Sequence, residues 1–421
     1  MRQGVISEIV LVNVSGENKP ALMGMLTSTL TAYQVRILDV GQAVIHDEFS
    51  LGMLIEIPDR SATDALKGAL VAHTRALGTV IRFTPVTTEE YAKWVSQQGK
   101  PRYIVTMLAG GVAAEQLAAV TAIFERHSLG VDGIRRLSGR LPLGSGGTSA
   151  RACVEISLRG ELADPRRLKA ELLEAAGRLT FDFSVQEDTV YRRNRRLVAF
   201  DMDSTLIKVE VIDELAHVHG VGNEVAAITE CAMRGEIDFK ESFRRRVALL
   251  KGLSAAAFAD VAAAVPLTDG ARRLIFALRH FGYRTAIISG GFTHVGHRLQ
   301  RELGIDYVHA NALETRDGVV TGEVVGDIID AERKASLLRA LCRNEGIALA
   351  QSIAIGDGAN DLPMLATAGL GVAFHAKPIV RESASHAISN FGLDSVLFLM
   401  GFTDRDIEQA AANDQSSAAK S

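Results

Sequence analysis

At 421 residues the chain is too long for one ordinary hydrophobic core, so two or three domains are expected. Hydrophobic residues make up 47% and charged residues 23%, the balance of a soluble globular protein, and a net charge of −4 gives no electrostatic case for nucleic acid or an anionic membrane as partner. Cys153, Cys231 and Cys342 form no CxxC or Cys/His zinc pattern, the start MRQGVISEIV lacks a signal peptide's features, and no apolar run approaches the ~20 residues of a spanning helix. Reduced thiols and a cytoplasmic location are the expectation.

The first half reads as two similar βαββαβ units. Residues 7–16 alternate like a strand, and over 20–34 Leu22, Met25, Leu26 and Leu30 fall at helical spacing. Strands at 35–45 and 49–57, a helix at 62–77 and a strand at 79–86 complete the first unit, expected to span 1–87; a short connecting helix is expected within 87–100. The order repeats over 101–190, with strands at 102–109, 131–138, 151–158 and 181–187 and helices at 113–127 and 165–178. Leu141-Pro142-Leu143-Gly144-Ser145-Gly146-Gly147 is a loop on composition. The basic run Arg192-Arg193-Asn194-Arg195-Arg196 reads as a solvated linker, since nothing nearby extends it into a phosphate-binding patch.

From Leu197 strands alternate with helices, which predicts a Rossmann-like parallel sheet with crossover helices over 195–405. Its strands fall at 197–201, 284–289, 352–356 and 370–374, and Asp317-Gly318 marks a hairpin turn. The helical block at about 209–265 is too long for a crossover and reads as a cap inserted over the strand ends. The tail, 408–421, is rich in Ala, Ser, Gln and Asn and is expected to fray.

The apolar strand Leu197-Val198-Ala199-Phe200 delivers Asp201-Met202-Asp203-Ser204-Thr205 to the carboxyl edge of the sheet, where ligands bind in open parallel sheets. Asp201 there can attack phosphorus covalently, and Asp203 can protonate the departing oxygen and then deprotonate water. Two exposed loop acids are the bland alternative. Two further strand ends weigh against it. One is Ser289-Gly290-Gly291, with a hydroxyl and amides for phosphoryl oxygens; the other is Gly356-Asp357-Gly358-Ala359-Asn360-Asp361, whose hard carboxylates suit Mg²⁺. Lys334 shares a helix face with Leu337, Leu338 and Leu341. A lone lysine there would snorkel to water, but among carboxylates and a phosphoryl group a buried cation has an electrostatic task.

In the insert, Phe239, Phe243, Val247 and Leu250 form one helix face, and Arg246 falls on it while Arg244 and Arg245 turn away. Arg246 suits capture of a substrate carboxylate or, equally, a structural salt bridge. Glu210 could meet an ammonium group, though by itself it is an ordinary surface acid. His217 with His219, and His294 with His297, read as helix residues rather than metal ligands.

DMDST at 201–205, Ser289, Lys334 and GDGAND at 356–361 resemble the haloacid dehalogenase superfamily. Glu210, AMRGEIDF at 232–239 and RRRV at 244–247 are similar to the cap of its phosphoserine phosphatases, over roughly residues 195–400. The resemblance implies hydrolysis of O-phospho-L-serine, the last step of serine biosynthesis, with Asp201 as nucleophile and Asp203 as general acid and base. It implies Mg²⁺ on Asp201, the Asp203 carbonyl and Asp357, with Asp361 in support, and a phosphoryl group on Ser289, Gly290 and Lys334 near Asn360. Glu210 and Arg246 would hold the serine ammonium and carboxylate, with Met233 and Phe239 lining the cap. The two βαββαβ (ferredoxin-like) units resemble ACT domains, which implies a homodimer and an amino-acid effector such as serine. Asn18-Lys19-Pro20-Ala21 and Ala109-Gly110-Gly111 depart from the acidic residue and Pro-Gly usual there. The competing functions are a phosphatase or phosphotransferase with another small substrate, and an amino-acid sensor with a vestigial phosphatase domain.

Overall fold

The computed structural model describes residues 7–140, 151–384 and 386–418, with side chains to 411. The expected loop at 141–147 lies outside the described residues. The chain divides into two compact units, Met1–Lys100 and Pro101–Ser421.

The first unit runs β1 (Glu8–Glu17), α1 (Ala21–Ala32), β2 (Arg36–Ile45), β3 (Glu48–Ile57), α2 (Thr63–Ala76), β4 (Val80–Val86) and α3 (Thr88–Gln97). This is the expected βαββαβ order with its closing helix. The antiparallel strands lie in the order β2-β3-β1-β4. Alternation in β1 and β3 buries Val10, Val12, Val14, Leu51, Met53 and Ile55 on one face. Leu22, Leu26 and Leu30 of α1 and Leu66 and Leu70 of α2 cover that face. The opposite outcome holds at the edge strand β2, where Ile37, Val40, Val44 and Ile45 are exposed.

The second unit begins with the repeat: β5 (Arg102–Ala109), α4 (Ala114–Arg126), β6 (Gly130–Arg136), β7 (Ala152–Arg159), α5 (Pro165–Leu179) and β8 (Phe181–Glu187). There follow β9 (Leu197–Phe200) and a helical insert, α6 (Val211–His219), α7 (Gly222–Met233), α8 (Phe239–Leu249) and α9 (Ala255–Ala264). The chain returns through α10 (Ala271–His280), β10 (Arg284–Phe292), α11 (Thr293–Leu303), the hairpin β11 (Tyr307–Arg316) and β12 (Val319–Val325), and α12 (Ala331–Asn344). It ends with β13 (Ser352–Gly356), α13 (Leu362–Thr367), β14 (Leu370–Phe374), α14 (Pro378–Ser383), β15 (His386–Ile388), α15 (Val396–Leu399) and α16 (Asp404–Ala418).

The segments expected as separate domains at 101–190 and 195–405 share one sheet, ordered β12-β11-β10-β9-β13-β14-β15-β8-β5-β7-β6. The join is the short strand β15, parallel to β14 and bridged antiparallel to β8 through Ala387 and Phe183. Buried polar contacts line the seam: Ser184 Oγ lies 2.9 Å from His386 Nδ1, and Gln186 Nε2 donates to Leu399 O at 2.8 Å. The basic run crosses this seam, which corrects its reading as a solvated linker. Arg192 Nη2 donates to Glu155 Oε2 at 2.6 Å and Arg195 Nη2 to Gln186 Oε1 at 2.8 Å, both arginines being buried. A guanidinium is buried only where partners exist, and the repeat supplies them.

The chain continues as α16 through Ala418, its start held by Thr403 Oγ1 accepting from Asp406 N and by buried Ile407 and Ala410. Alanine favours helix once one face has a core to pack on.

Parallel strands β10, β9, β13 and β14 form the centre, and β9, β13 and β14 are buried throughout. From β9 the chain crosses to β10 on one side, and after the β11–β12 hairpin α12 carries it back to β13 on the other side of β9. That places a topological switch point at the end of β9.

Candidate active site

Phe200, Ile287 and Ile355 are register neighbours, so the residues that follow them emerge together at one sheet edge. After β9 the chain makes a single π-type turn, Met202–Leu206, closed by Ile207 N donating to Met202 O at 3.1 Å. Ser204 within it takes φ +56°, a left-handed conformation that a short polar residue tolerates. Asp201 is fixed at its mouth: its backbone N donates to Ile355 O at 2.8 Å, and its Oδ1 accepts from Met202 N at 2.7 Å. The other oxygen, Oδ2, faces Lys334 Nζ at 2.9 Å.

Lys334 is fully buried and donates to Asp361 Oδ1 at 2.7 Å as well. Burial works against its charge, but Asp201 and Asp361 outweigh it and hold the ammonium above its usual pKa. Asp361 Oδ2 accepts from Gly358 N at 3.0 Å. Oxygens of Asp201, Asp357 and Asp361 come within 4.8 Å of one another. One lysine does not balance these acids. Burial, then Asp201 and Asp361, push Asp357 up to about 8, and burial and Asp201 push Asp361 to about 6 against the pull of Lys334. Thr205, to which the sequence reading assigned no separate role, donates through Oγ1 to Asp357 Oδ1 at 2.9 Å. Its hydroxyl at the close of the DMDST motif was the signal.

Removing the lysine leaves two buried acids facing each other. Lys334→Met is expected to destabilise the second unit by about 3–5 kcal/mol, read as a lower urea midpoint for its transition. A midpoint equal to wild type would mean the ion pairs do not hold the site together.

On the next strand Ser289 is buried and its Oγ accepts from Gly291 N at 3.0 Å. A Cβ at Gly291 would stand 2.5 Å from Asp203 Oδ2 and 2.6 Å from Met202 Cε, so only glycine lets this strand end meet the acidic turn. At Gly290 a Cβ would lie 3.2 Å from the Phe239 ring of the insert. Asn360 is half-buried, with its Oδ1 crowding the space over Gly358. Asp203 is buried with Oδ1 unpartnered. Burial, then Glu210 and Asp201, raise it well above the usual carboxylate range.

The insert meets the sheet through packed aromatic rings. Phe239 lies 6.0 Å from Phe243, which lies 5.9 Å from Phe292. Glu210 Oε1 accepts from Ser204 Oγ at 3.0 Å; its side chain is open to water in the cleft, yet surrounding protein and Asp201 raise its pKa. Arg246 is half-buried and makes no ion pair among the described residues, and its buried Nε has no partner. Burial lowers its pKa while Glu210, Asp213 and Asp203 resist, so the cation looks onto an acidic cleft without being closed in a salt bridge. Met233 stands apart: it is 67% exposed at the end of α7, and no described contact joins it to the cluster.

Residues 198–366 match the family model for haloacid dehalogenase-like hydrolase, and residues 8–84 match that for the ACT domain. A haloacid dehalogenase family hydrolase from Salmonella enterica serovar Typhi superposes with a TM-score of 0.61 at 33% identity, over 71% of this chain and 98% of that one. The second unit therefore carries a haloacid dehalogenase-like hydrolase with a helical insert. At full length the chain is 40% identical to a phosphoserine phosphatase of Streptomyces coelicolor, over 95% of this chain and 94% of that one. It is 38% identical to a phosphoserine phosphatase of Mycobacterium tuberculosis, over 96% of each. The chain belongs to the phosphoserine phosphatase family of haloacid dehalogenase-like hydrolases.

Proposed function

We propose that the chain hydrolyses O-phospho-L-serine to L-serine and phosphate through an aspartyl-phosphate on Asp201. The observation that carries the substrate is Arg246, a cation without an ion pair among the described residues that faces an acidic cleft beside Glu210. A zwitterionic amino-acid ester matches both charges, which a sugar phosphate does not.

Asp201 Oδ2 attacks phosphorus as the bond to the serine oxygen breaks, and Asp203 gives that oxygen its proton. Asp203 then takes a proton from the water that attacks the same phosphorus, releasing phosphate and the Asp201 carboxylate. Ser289 Oγ, the Gly290 amide, Lys334 and Asn360 hold the phosphoryl oxygens, and the Phe239 ring walls the cleft. Mg²⁺ fits this donor set: three hard carboxylates converge, and burial together with the charges of Asp201 and Asp361 raises Asp357. Asp201, the Asp203 carbonyl and Asp357 would hold it, with Asp361 in support. When bound it supplies charge neutralisation at the carboxylates and phosphoryl oxygens.

For the first unit we propose an amino-acid effector such as serine, on the strength of the ACT match, and a homodimer through the exposed apolar edge β2. Light scattering on the full chain and on Val40→Lys tests the dimer; an unchanged mass in the variant removes β2 from the contact.

A panel of phosphate monoesters, with and without a chelator, tests the function. Phosphoserine is expected to exceed sugar phosphates in kcat/KM by about 10²-fold or more, and the chelator to abolish turnover. Comparable kcat/KM across the panel favours the broader phosphatase reading. No turnover of any ester favours the sensor.

A further inference from the structure

The ladder between β10 and β11 pairs Ile288 with His309 and next Phe292 with Asn311. Between those pairs, Ser289, Gly290 and Gly291 stand against Ala310 alone. Backbone looped out in this way loses its strand partners, and a buried carbonyl must find a donor elsewhere. Asn311, 2% exposed, meets that need: its Nδ2 donates to Gly290 O at 2.7 Å. Its Oδ1 accepts from Ile329 N at 2.8 Å.

The second bond gives the residue its reach. Ile329 precedes Asp330, whose Oδ1 accepts from Arg333 N at 2.8 Å to cap α12 and whose carbonyl accepts from Lys334 N at 2.9 Å. One amide side chain thus ties the Ser289–Gly290 bulge to the first turn of the helix that carries Lys334. Ile329 O also packs 3.5 Å from where a Cβ of Gly290 would stand. No other pairing suits an asparagine so well, because one bond needs a donor and the other an acceptor.

We propose that Asn311 is a positioning residue for the phosphoryl group, setting the spacing between the Ser289–Gly290 oxygen cradle and the Lys334 ammonium. The inference rests on the reading that these groups bind the phosphoryl oxygens. The two bonds of Asn311 reach only groups at the phosphoryl end of the site, so its loss should be blind to the alcohol that leaves.

The test uses Asn311→Asp, which keeps the acceptor for Ile329 N but sets an oxygen against Gly290 O, and Asn311→Ser, which loses both bonds. Turnover of phosphoserine and of p-nitrophenyl phosphate, inhibition by inorganic phosphate, and phosphate's protection against thermal unfolding are measured on full-length enzyme. For folded variants the phosphate inhibition constant should rise about 10- to 100-fold, with kcat/KM falling by the same factor for both esters. A purely structural role would lower the Tm and leave phosphate inhibition at the wild-type value; that result overturns the proposal. So does failure of both variants to fold. If wild type hydrolyses only p-nitrophenyl phosphate, the substrate assignment fails while phosphate inhibition still decides the role of Asn311.

Discussion

Asp201→Asn should fold and bind magnesium weakly while losing turnover of every phosphate ester, by about 10⁴-fold or more, the scale on which loss of an enzyme's nucleophile is felt. The geometry explains why the loss is chemical. An asparagine Oδ1 can still accept from Met202 N, and Lys334 keeps Asp361 at 2.7 Å, so the turn and the helix retain their main ties. What disappears is the anionic oxygen that now faces Lys334 at 2.9 Å. An amide in its place presents either a weak neutral acceptor or an NH₂ group to the ammonium. Kinetics on protein whose unfolding midpoint has been measured separates the two effects. Retained turnover in a folded variant would rule out covalent catalysis at this position.

The second large effect concerns selectivity. Arg246→Ala should lower kcat/KM for phosphoserine by about 10²–10³-fold, the cost of stranding a desolvated carboxylate, and change that for p-nitrophenyl phosphate only a few-fold. Arg246 lies in the insert, with no ion pair to break among the described residues and Phe243 and Val247 anchoring the same helix in the core, so the fold should tolerate the change. Arg246→Lys should fall between, because a lysine keeps the charge and loses the planar fork. Equal losses on both esters would move Arg246 from substrate recognition to support of the catalytic cluster.

These two residues show which parts of the molecule were legible beforehand. Asp201, Ser289 and Asp357 could be placed at one edge because each follows a short apolar strand, and parallel strands bring their carboxyl ends together. Lys334 was readable as a cation on an apolar stripe, and the structure buries it between two acids. Arg246 was legible only to the helix face; that no acid among the described residues closes on it required coordinates. Other features left no local trace. The strand His386–Ile388 is three residues long and exists because β14 and β8 flank it, so no periodicity announces it or the fusion of two sheets. Arg192 and Arg195 looked like solvent-facing charge because their partners, Glu155 and Gln186, belong to the preceding repeat. Asn311 sits in an ordinary strand pattern, and its significance comes from a bulge in the neighbouring strand. Met233 fitted the insert's motif, yet this arrangement leaves it in solvent.

The central claim is that the phosphoryl group of phosphoserine passes through Asp201. Acid quenching during steady-state turnover, followed by peptide mapping by mass spectrometry, reads this directly. A phosphoryl adduct on the Asp201-containing peptide, labile at alkaline pH and absent from Asp201→Asn, is the predicted result. Rapid hydrolysis of phosphoserine with no adduct at any quench time, or an adduct on another residue, would contradict it.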